Sequence, residues 1–148
     1  MIAVLALAGA LSVADPALTP GVVRPLTVEQ ICATRWGRDE RAVTAAMKRE
    51  TFRRYGLTGR TDPRCSPQRC EVDHRIGREI GGADVLENLA PQPYGGPWNA
   101  HDKDRLENRL HVLVCAGSMT LPAAQDALRS DWTGAYVLVF GAVPKSAR

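Results

Sequence analysis

The sequence predicts an α+β fold in which a short β-hairpin and a following helix lie within a mainly helical single domain. Two strands are predicted at residues 70–76 and 85–90, around the turn at Gly81-Gly82. Helix caps and helical periodicity dominate the rest of the chain. The 148 residues, 45% hydrophobic and 24% charged, suit one domain with a modest core.

The first fourteen residues, MIAVLALAGALSVA, are uncharged and almost wholly apolar. This run is shorter than the roughly 20 residues that a membrane-spanning helix needs. Ser12-Val13-Ala14 resembles a small-x-small cleavage site, so residues 1–14 are interpreted as a secretory signal peptide. No basic residue precedes the apolar run, which leaves two alternatives: a start further upstream, or a single buried apolar segment. Export predicts a periplasmic or secreted protein that does not bind membranes in its mature form.

Residues 15–26 contain three prolines and predict an extended leader, and residues 27–148 are assigned to the folded domain. Thr27 and Gln30 form a capping-box pattern for a short helix that ends near Arg35. A second, basic helix is predicted from Asp39 to Tyr55, followed by Gly56.

Two further helices are expected after the hairpin. One runs from His101 to Val114 with a buried stripe of Leu106, Leu110 and Leu113. The other is capped by Thr120 and covers LPAAQDALRSDW. Periodicity leaves the apolar tail through residue 140 open between helix and strand.

The four cysteines make an even number, as in proteins of oxidising compartments. Of three pairings, the favoured one joins Cys65 to Cys70, closing a tight turn, and Cys32 to Cys115, tying the first helix to the helix after the hairpin. A structural zinc site is the competing interpretation, but the chain contains no CxxC pair.

Charge and aromatic content restrict the classes of partner. The net charge of +3 and pI near 8.8 suit a polyanion, although simple solubility explains them equally well. Aromatic residues make up only 5% of the chain, which disfavours a base-stacking platform for single-stranded nucleic acid.

The stretch CEVDHRIGREIGGADVLENLAPQPYGGPWNAH, residues 70–101, contains the candidate chemistry. Asp73 and His74 are adjacent, Asn88 follows after thirteen residues, and His101 after twelve more. Cutting a phosphodiester near neutral pH requires a base for water and a cation for the developing charge, and an Asp-His pair supplies both. Because neighbouring strand residues face opposite sides, a shared role predicts a twist or bulge at Asp73-His74.

These residues resemble the signature of HNH, or His-Me finger (ββα-metal), endonucleases. The likeness extends to a group of bacterial HNH proteins with the patterns DHxIxxExGG, NLxPQP and KDRLENRLHxLVC, which appear here at residues 73–82, 88–93 and 103–115. The core motif would cover residues 70–115. Ala90 stands where the group has an aromatic residue, and Arg75, Gly77 and Arg78 stand where it has apolar residues or proline.

The resemblance implies a role for each motif residue. His74 is expected to be the general base, Asp73 and His101 the metal ligands, and Asn88 the tether of the loop that orients His74. Mg²⁺ is the first choice of cation, and Mn²⁺, Zn²⁺ and Ni²⁺ suit the same donors.

Basic and acidic neighbours of the motif are assigned from the residues themselves. Arg75, Arg78 and Arg105 are candidate clamps for the substrate backbone or plain surface residues. Asp104 follows His101 by one helical turn and either approaches the metal or favours the positive end of the helix dipole. His111 is expected to be structural.

The sequence thus predicts a metal-dependent HNH endonuclease that binds nucleic acid, DNA rather than RNA, with weak sequence specificity. The alternative is an exported, disulfide-braced binding module for nucleic acid or protein that keeps an inactive HNH scaffold.

Overall fold

The computed structural model describes residues 11–148, which fold as a two-stranded antiparallel sheet surrounded by helices. The mixed α+β class and the mainly helical frame are therefore confirmed. The main elements, in chain order, are α1 (Val28–Ala33), α2 (Ala45–Arg54), β1 (Cys70–His74), β2 (Leu89–Pro93), α3 (Ala100–Cys115), α4 (Leu121–Ser130) and α5 (Trp132–Phe140).

Among residues 11–148, none of the helices combines the length and the apolar character that crossing a membrane demands.

The leader adds a third extended segment beside the hairpin loop. The Gly21 amide donates to the Glu87 carbonyl at 2.9 Å, and the Arg24 amide donates to the Gly81 carbonyl at 2.8 Å. Val23 forms an isolated antiparallel bridge with Gly82. Residues 15–19 of the leader form a turn, and the backbone of residues 21–24 holds the loop that follows β1.

Residues 11–14 are packed against the domain, whereas residues 1–10 of the predicted signal peptide lie outside the described part of the chain. Ser12 is 3% exposed, and its main-chain carbonyl accepts a hydrogen bond of 2.8 Å from Trp132 Nε1. Its hydroxyl donates to the Pro97 carbonyl at 3.2 Å. The segment around the predicted cleavage site therefore contributes contacts to the fold.

Helix α1 has the predicted capping box between Thr27 and Gln30. Helix α2 starts six residues later than predicted, at Ala45, because Thr44 is its N-cap and accepts from the Met47 amide. Residues 39–43 instead turn toward the hairpin loop, where the Ala42 amide donates to an Asp84 carboxylate oxygen at 2.8 Å.

The second strand also differs from its prediction. Residues 86–88 form a short 3-10 helix, and β2 runs through residues 89–93 with two prolines opposite Val72 and Cys70. Both strands are edges of a two-stranded sheet, where a proline that lacks an amide donor is tolerated. The prolines made this segment look like a loop in the sequence.

Helix α3 carries the core stripe, which uses Leu106, Leu110 and Val114, while Leu113 is only partly buried. The predicted fourth helix is two helices, since Asp131 ends α4 and caps α5 by accepting from the Gly134 amide. The undecided tail is thus helical. Against α3 pack these buried side chains: Ile31, Ile76, Ile80, Leu121, Ala124, Leu128, Trp132 and Tyr136.

Both predicted disulfides are present. Cys32 bonds to Cys115, joining α1 to the end of α3, and Cys65 bonds to Cys70 at the start of β1. The described residues contain no free cysteine, so the zinc alternative is not supported.

The free energy of unfolding is expected to be about 1–3 kcal/mol smaller for a chain that starts at Asp15 than for one that starts at Leu11. The buried Trp132 Nε1 would lose its acceptor, the carbonyl of Ser12. Urea denaturation of both chains measures the difference. The control is Trp132→Phe in both chains, because it removes the donor and should reduce the difference in free energy of unfolding between them. Equal stability of the two unmutated chains would contradict the prediction.

Candidate active site

Strand β1 ends at a surface cleft with a volume of about 380 Å³. Its last two residues, Asp73 and His74, both line this cleft. Their pairing with Ala90 and Leu89 of β2 is one-to-one, so of the two predicted alternatives, a twist or a bulge, the bulge is not present. The two side chains share a cleft because His74 is the last strand residue, where the chain turns away from the sheet. The remaining walls come from these residues: Trp36, Gly37, Asp39, Arg41, Gly77, Arg78, Glu79, Glu107 and Asn108.

The imidazole of His74 is only 3% exposed and is held by a carboxylate. Its Nε2 lies 2.7 Å from Asp84 Oδ1. A carboxylate only accepts hydrogen bonds, so in neutral His74 the proton is assigned to Nε2 and the lone pair to Nδ1. The nearest polar neighbour of Nδ1 is Arg41 Nη2, at 3.5 Å.

Burial lowers the pKa of His74 below its ordinary 6.5, and Arg41 lowers it further. The carboxylates of Asp73 and Asp84 oppose this shift without reversing it. His74 is therefore a neutral base near pH 7. Because the unfolded chain binds this proton near pH 6.5 and the folded chain only at lower pH, the free energy of unfolding falls as pH drops below 6.5.

Asn88 fastens the loop that follows His74. Its side chain is fully buried, accepts from the Ile76 amide at 3.0 Å, and donates to the Ile76 and Ala83 carbonyls at 3.0 Å each. The loop is so tight that a Cβ on Gly82 would lie 1.7 Å from the Ile76 carbonyl oxygen, which only glycine avoids. These contacts set the path between His74 and its partner Asp84.

A buried ammonium group joins α3 to the end of β1. Lys103 is 3% exposed, and its Nζ donates to Asp73 Oδ2 at 3.0 Å, to the His74 carbonyl at 2.6 Å and to Glu107 Oε1 at 2.6 Å. Burial acts to lower the pKa of Lys103, but the two carboxylates outweigh it and raise the pKa above its ordinary value. Burial raises the pKa of Glu107. Lys103 is thus a permanent positive charge beneath Asp73.

Two further acidic residues, Glu71 and Asp104, interact electrostatically with Asp73. Burial, followed by the charge of Asp73, raises the pKa of both Glu71 and Asp104, and His101 lowers both. The fold therefore brings Asp73 and His101 into one neighbourhood, together with two carboxylates that were not predicted as ligands. His101 is exposed in the first turn of α3, and the centre of its ring lies 4.5 Å from the centre of the Tyr94 ring in an edge-on arrangement.

The donors in this neighbourhood fit a divalent cation in type. Asp73 Oδ1 and the His101 ring accept no hydrogen bond from residues 11–148, and carboxylate with imidazole suits several divalent ions. However, no three His, Cys, Asp or Glu side chains of the described residues are grouped closely enough to hold a metal ion. The positive charge of Lys103 also competes for Asp73. The described residues therefore contain no closed structural metal site of three or more such ligands.

The three predicted substrate-clamping arginines lie in different places. Arg78 lines the cleft, with its Nε 3.1 Å from Asp84 Oδ1. Arg75 is buried and donates to main-chain carbonyls of the leader and of α4. Arg105 donates to the Tyr136 hydroxyl at 2.9 Å, on the α5 side of α3. The guanidinium groups of Arg75 and Arg105 are thus used in packing, away from the cleft lining.

Three residues that contact His74, Asp73 or each other at this site were missed by sequence reasoning: Asp84, Lys103 and Glu107. Lys103 and Glu107 are four positions apart on the stripe of α3 that also holds Leu106, so a charged pair on an apolar face was the available sign. Nothing in the local sequence singles out Asp84. His111 is structural as expected, with Nδ1 2.7 Å from the Glu79 carbonyl.

Comparison with known proteins found no matching family model, no matching curated protein and no matching solved structure.

Asn88→Asp is expected to destabilise the protein more than Asn88→Ala does. Alanine leaves three buried backbone groups without partners, at a cost of about 3 kcal/mol or more. Aspartate keeps the acceptor but directs carboxylate oxygen at the Ile76 and Ala83 carbonyls, which adds repulsion and a buried charge. Urea denaturation at pH 7 measures both variants, and a smaller loss for aspartate would contradict the arrangement described.

Proposed function

We propose that this protein is a metal-dependent endonuclease of the HNH, or His-Me finger, type that hydrolyses phosphodiester bonds of nucleic acid, preferentially DNA. One observation carries the proposal: a neutral His74 at the cleft beside Asp73, with Nε2 bonded to Asp84 and the lone pair on Nδ1. An imidazole in that state is ready to take a proton from water near neutral pH.

In the proposed reaction, Nδ1 of His74 removes a proton from a water molecule. The water oxygen then attacks phosphorus in line with the departing 3′ oxygen. Asp84 keeps the proton of the resting imidazole on Nε2 and stabilises the imidazolium that forms. Asn88 holds the loop between His74 and Asp84, which keeps the base in place.

Asp73 and His101 are the residues that would hold the cation, with Mg²⁺ as first choice and Mn²⁺, Zn²⁺ or Ni²⁺ as alternatives. When bound, such an ion offsets negative charge on the phosphate and on the leaving oxygen. Lys103 fixes the Asp73 carboxylate through Oδ2, which leaves Oδ1 without a hydrogen bond from residues 11–148. Arg78 is the predicted clamp that remains at the cleft, where it contacts Asp84.

The two disulfides support a setting outside the reducing cytosol. We therefore include in the proposal a periplasmic or secreted location, reached through an N-terminal signal segment. With few aromatic side chains, substrate contacts should be made mainly to phosphates, so cleavage should be weakly sequence-specific.

A second function is favoured by one specific observation, the ion pair of Asp73 with Lys103 at 3.0 Å. A carboxylate committed to an ammonium group binds metal less readily, as expected of a disulfide-braced module that binds nucleic acid or protein without cutting it. Metal-dependent cleavage distinguishes the two functions.

Purified protein is expected to cut plasmid DNA with Mg²⁺ or Mn²⁺ present and to stop in EDTA. His74→Ala should lower the rate about 10²- to 10⁴-fold, because it removes the base, while metal binding in calorimetric titration is unchanged. Asp73→Ala and His101→Ala should weaken metal binding. His111→Ala is the matched control, since His111 contacts only structural groups. An uncut plasmid under all metal conditions would favour the binding module.

Asp84→Asn is expected to slow cleavage about 10- to 100-fold and to move the acidic limb of the pH–rate profile to lower pH. Asparagine can present its NH₂ group to Nε2, which selects the wrong tautomer. It also removes a charge that raises the pKa of His74, so the midpoint, already below 6.5, should fall further. Glu87→Gln, an exposed carboxyl on the same loop, is the control. A slower enzyme with an unmoved midpoint would show that Asp84 acts only through folding.

A further inference from the structure

A second groove, with a volume of about 260 Å³, lies beside the cleft and is lined by four cationic side chains. They are Arg41, Lys48, Arg60 and Arg69, and all four are exposed. The remaining lining residues are Phe52, Cys70, Glu71 and Val72. Four positive charges therefore face one carboxylate across this groove.

None of the four cations has a carboxylate oxygen within 4 Å in residues 11–148. Two other exposed arginines are paired, Arg53 with Glu50 and Arg64 with Asp62, whereas isolated ones such as Arg38 and Arg109 are not paired within the described part of the chain. The groove differs because it gathers four unpaired cations of that part in one lining. Like charges brought together without counter-ions repel one another, and an external anion relieves that repulsion. The groove is thus suited to a ligand with several negative charges.

The fold holds this groove in shape before any ligand binds. The Cys70 amide donates to the Arg60 carbonyl at 2.8 Å, and the Tyr94 amide donates to the Arg69 carbonyl at 2.8 Å. The Arg69 guanidinium lies 4.4 Å from the centre of the Tyr94 ring. The disulfide between Cys65 and Cys70 closes the loop that joins Arg60 to Arg69.

The groove and the cleft are continuous along one strand. Cys70, Glu71 and Val72 of β1 line the groove, and the next two residues line the cleft. Arg41 lines both. Four residue steps along β1 cover about 13 Å, which is about four nucleotides of a B-form strand at 3.4 Å each.

We propose that this basic groove binds the phosphodiester backbone next to the bond that is cut, so the substrate strand enters the cleft from the α2 side. The proposal rests on the proposed nuclease function of the cleft and assigns its substrate contacts to Arg41, Lys48, Arg60 and Arg69. Arg75, which is buried, and Arg105, which is bonded to the Tyr136 hydroxyl, have no part in it. Phe52 is the one aromatic residue lining the groove, so contacts to the strand are expected mainly at phosphates and not through stacking of successive bases.

Binding without cleavage tests the groove independently of catalysis. The full-length His74→Ala protein, in EDTA, is titrated into a fluorescein-labelled 20-base-pair DNA duplex and, separately, an RNA strand of 20 nucleotides. Anisotropy is followed from 50 to 200 mM NaCl. Lys48→Glu and Arg60→Glu are each compared with Arg109→Glu, an equal charge change at an exposed α3 position two residues after Glu107 and so across the helix from the cleft.

Each groove reversal should weaken binding at least about 10-fold at 50 mM NaCl, and Arg109→Glu less than about 2-fold. Lys48→Ala and Arg60→Ala should each reduce the slope of log K against log salt by about 1. Of DNA and RNA, the polymer whose binding the groove reversals weaken more is the preferred substrate. Equal effects of all three reversals, or no binding to either polymer, would overturn the proposal.

The same substitutions in the protein with His74 intact separate the two proposals. Nucleic-acid binding that depends on the groove residues, without any cleavage, would support the groove proposal and reject the nuclease proposal. Cleavage that Lys48→Glu and Arg60→Glu leave unchanged would keep the nuclease and reject the groove. Circular dichroism and melting temperature confirm folding, which exposed side chains should not disturb, and Lys48→Gln gives a milder variant with a proportionally smaller loss.

Discussion

The buried ammonium group of Lys103 is the contact on which the geometry of the cleft depends. It reaches from α3 to the Asp73 carboxylate, the His74 carbonyl and the Glu107 carboxylate, so the end of β1 and the body of α3 share one charged centre. Removing one partner of a buried ion pair costs about 3–5 kcal/mol because the other charge is left without compensation. The position of Asp73 relative to the helix is therefore determined by electrostatics and not by sheet packing alone.

The loop after β1 is held from the opposite direction, by hydrogen bonds to the backbone. Asn88 closes it from within, Gly82 lets its two ends approach, and the leader binds its outer edge through the Arg24 amide. Asp84 emerges from this loop at the position where it can hold Nε2 of His74. The state of the candidate base thus depends on the leader, on the loop after β1 and on residues 39–43. The 39–43 segment is not helical because the Ala42 amide is bonded to the Asp84 carboxylate.

The charges around the cleft are divided by location. Cations that are unpaired within the described residues line the groove on the α2 side, where they face only Glu71, whereas the carboxylates of Asp39, Glu79 and Glu107 line the cleft. The concentration of positive charge in the groove suits a polyanion. A net charge of only +3 conceals it, because net charge does not record where the charges meet.

Local signals in the sequence determined much of this protein. Neighbouring residues and fixed periods were enough to predict four features: the helix caps at Thr27 and Thr120, the leucine stripe of α3, the disulfide pairs, and the spacing of Asp73, His74, Asn88 and His101. Only the tertiary structure decided the partners of those residues. Distant segments are joined by the hydrogen bond of Asp84 to His74, by the ion pair of Lys103 with Asp73, and by the groove that Arg41 and Arg60 both line. Such long-range pairing leaves no local pattern in the sequence. The predictions for the start of α2 and the extent of β2 were wrong for the same reason. Tertiary contacts overrode helix periodicity before α2 and accommodated prolines in β2.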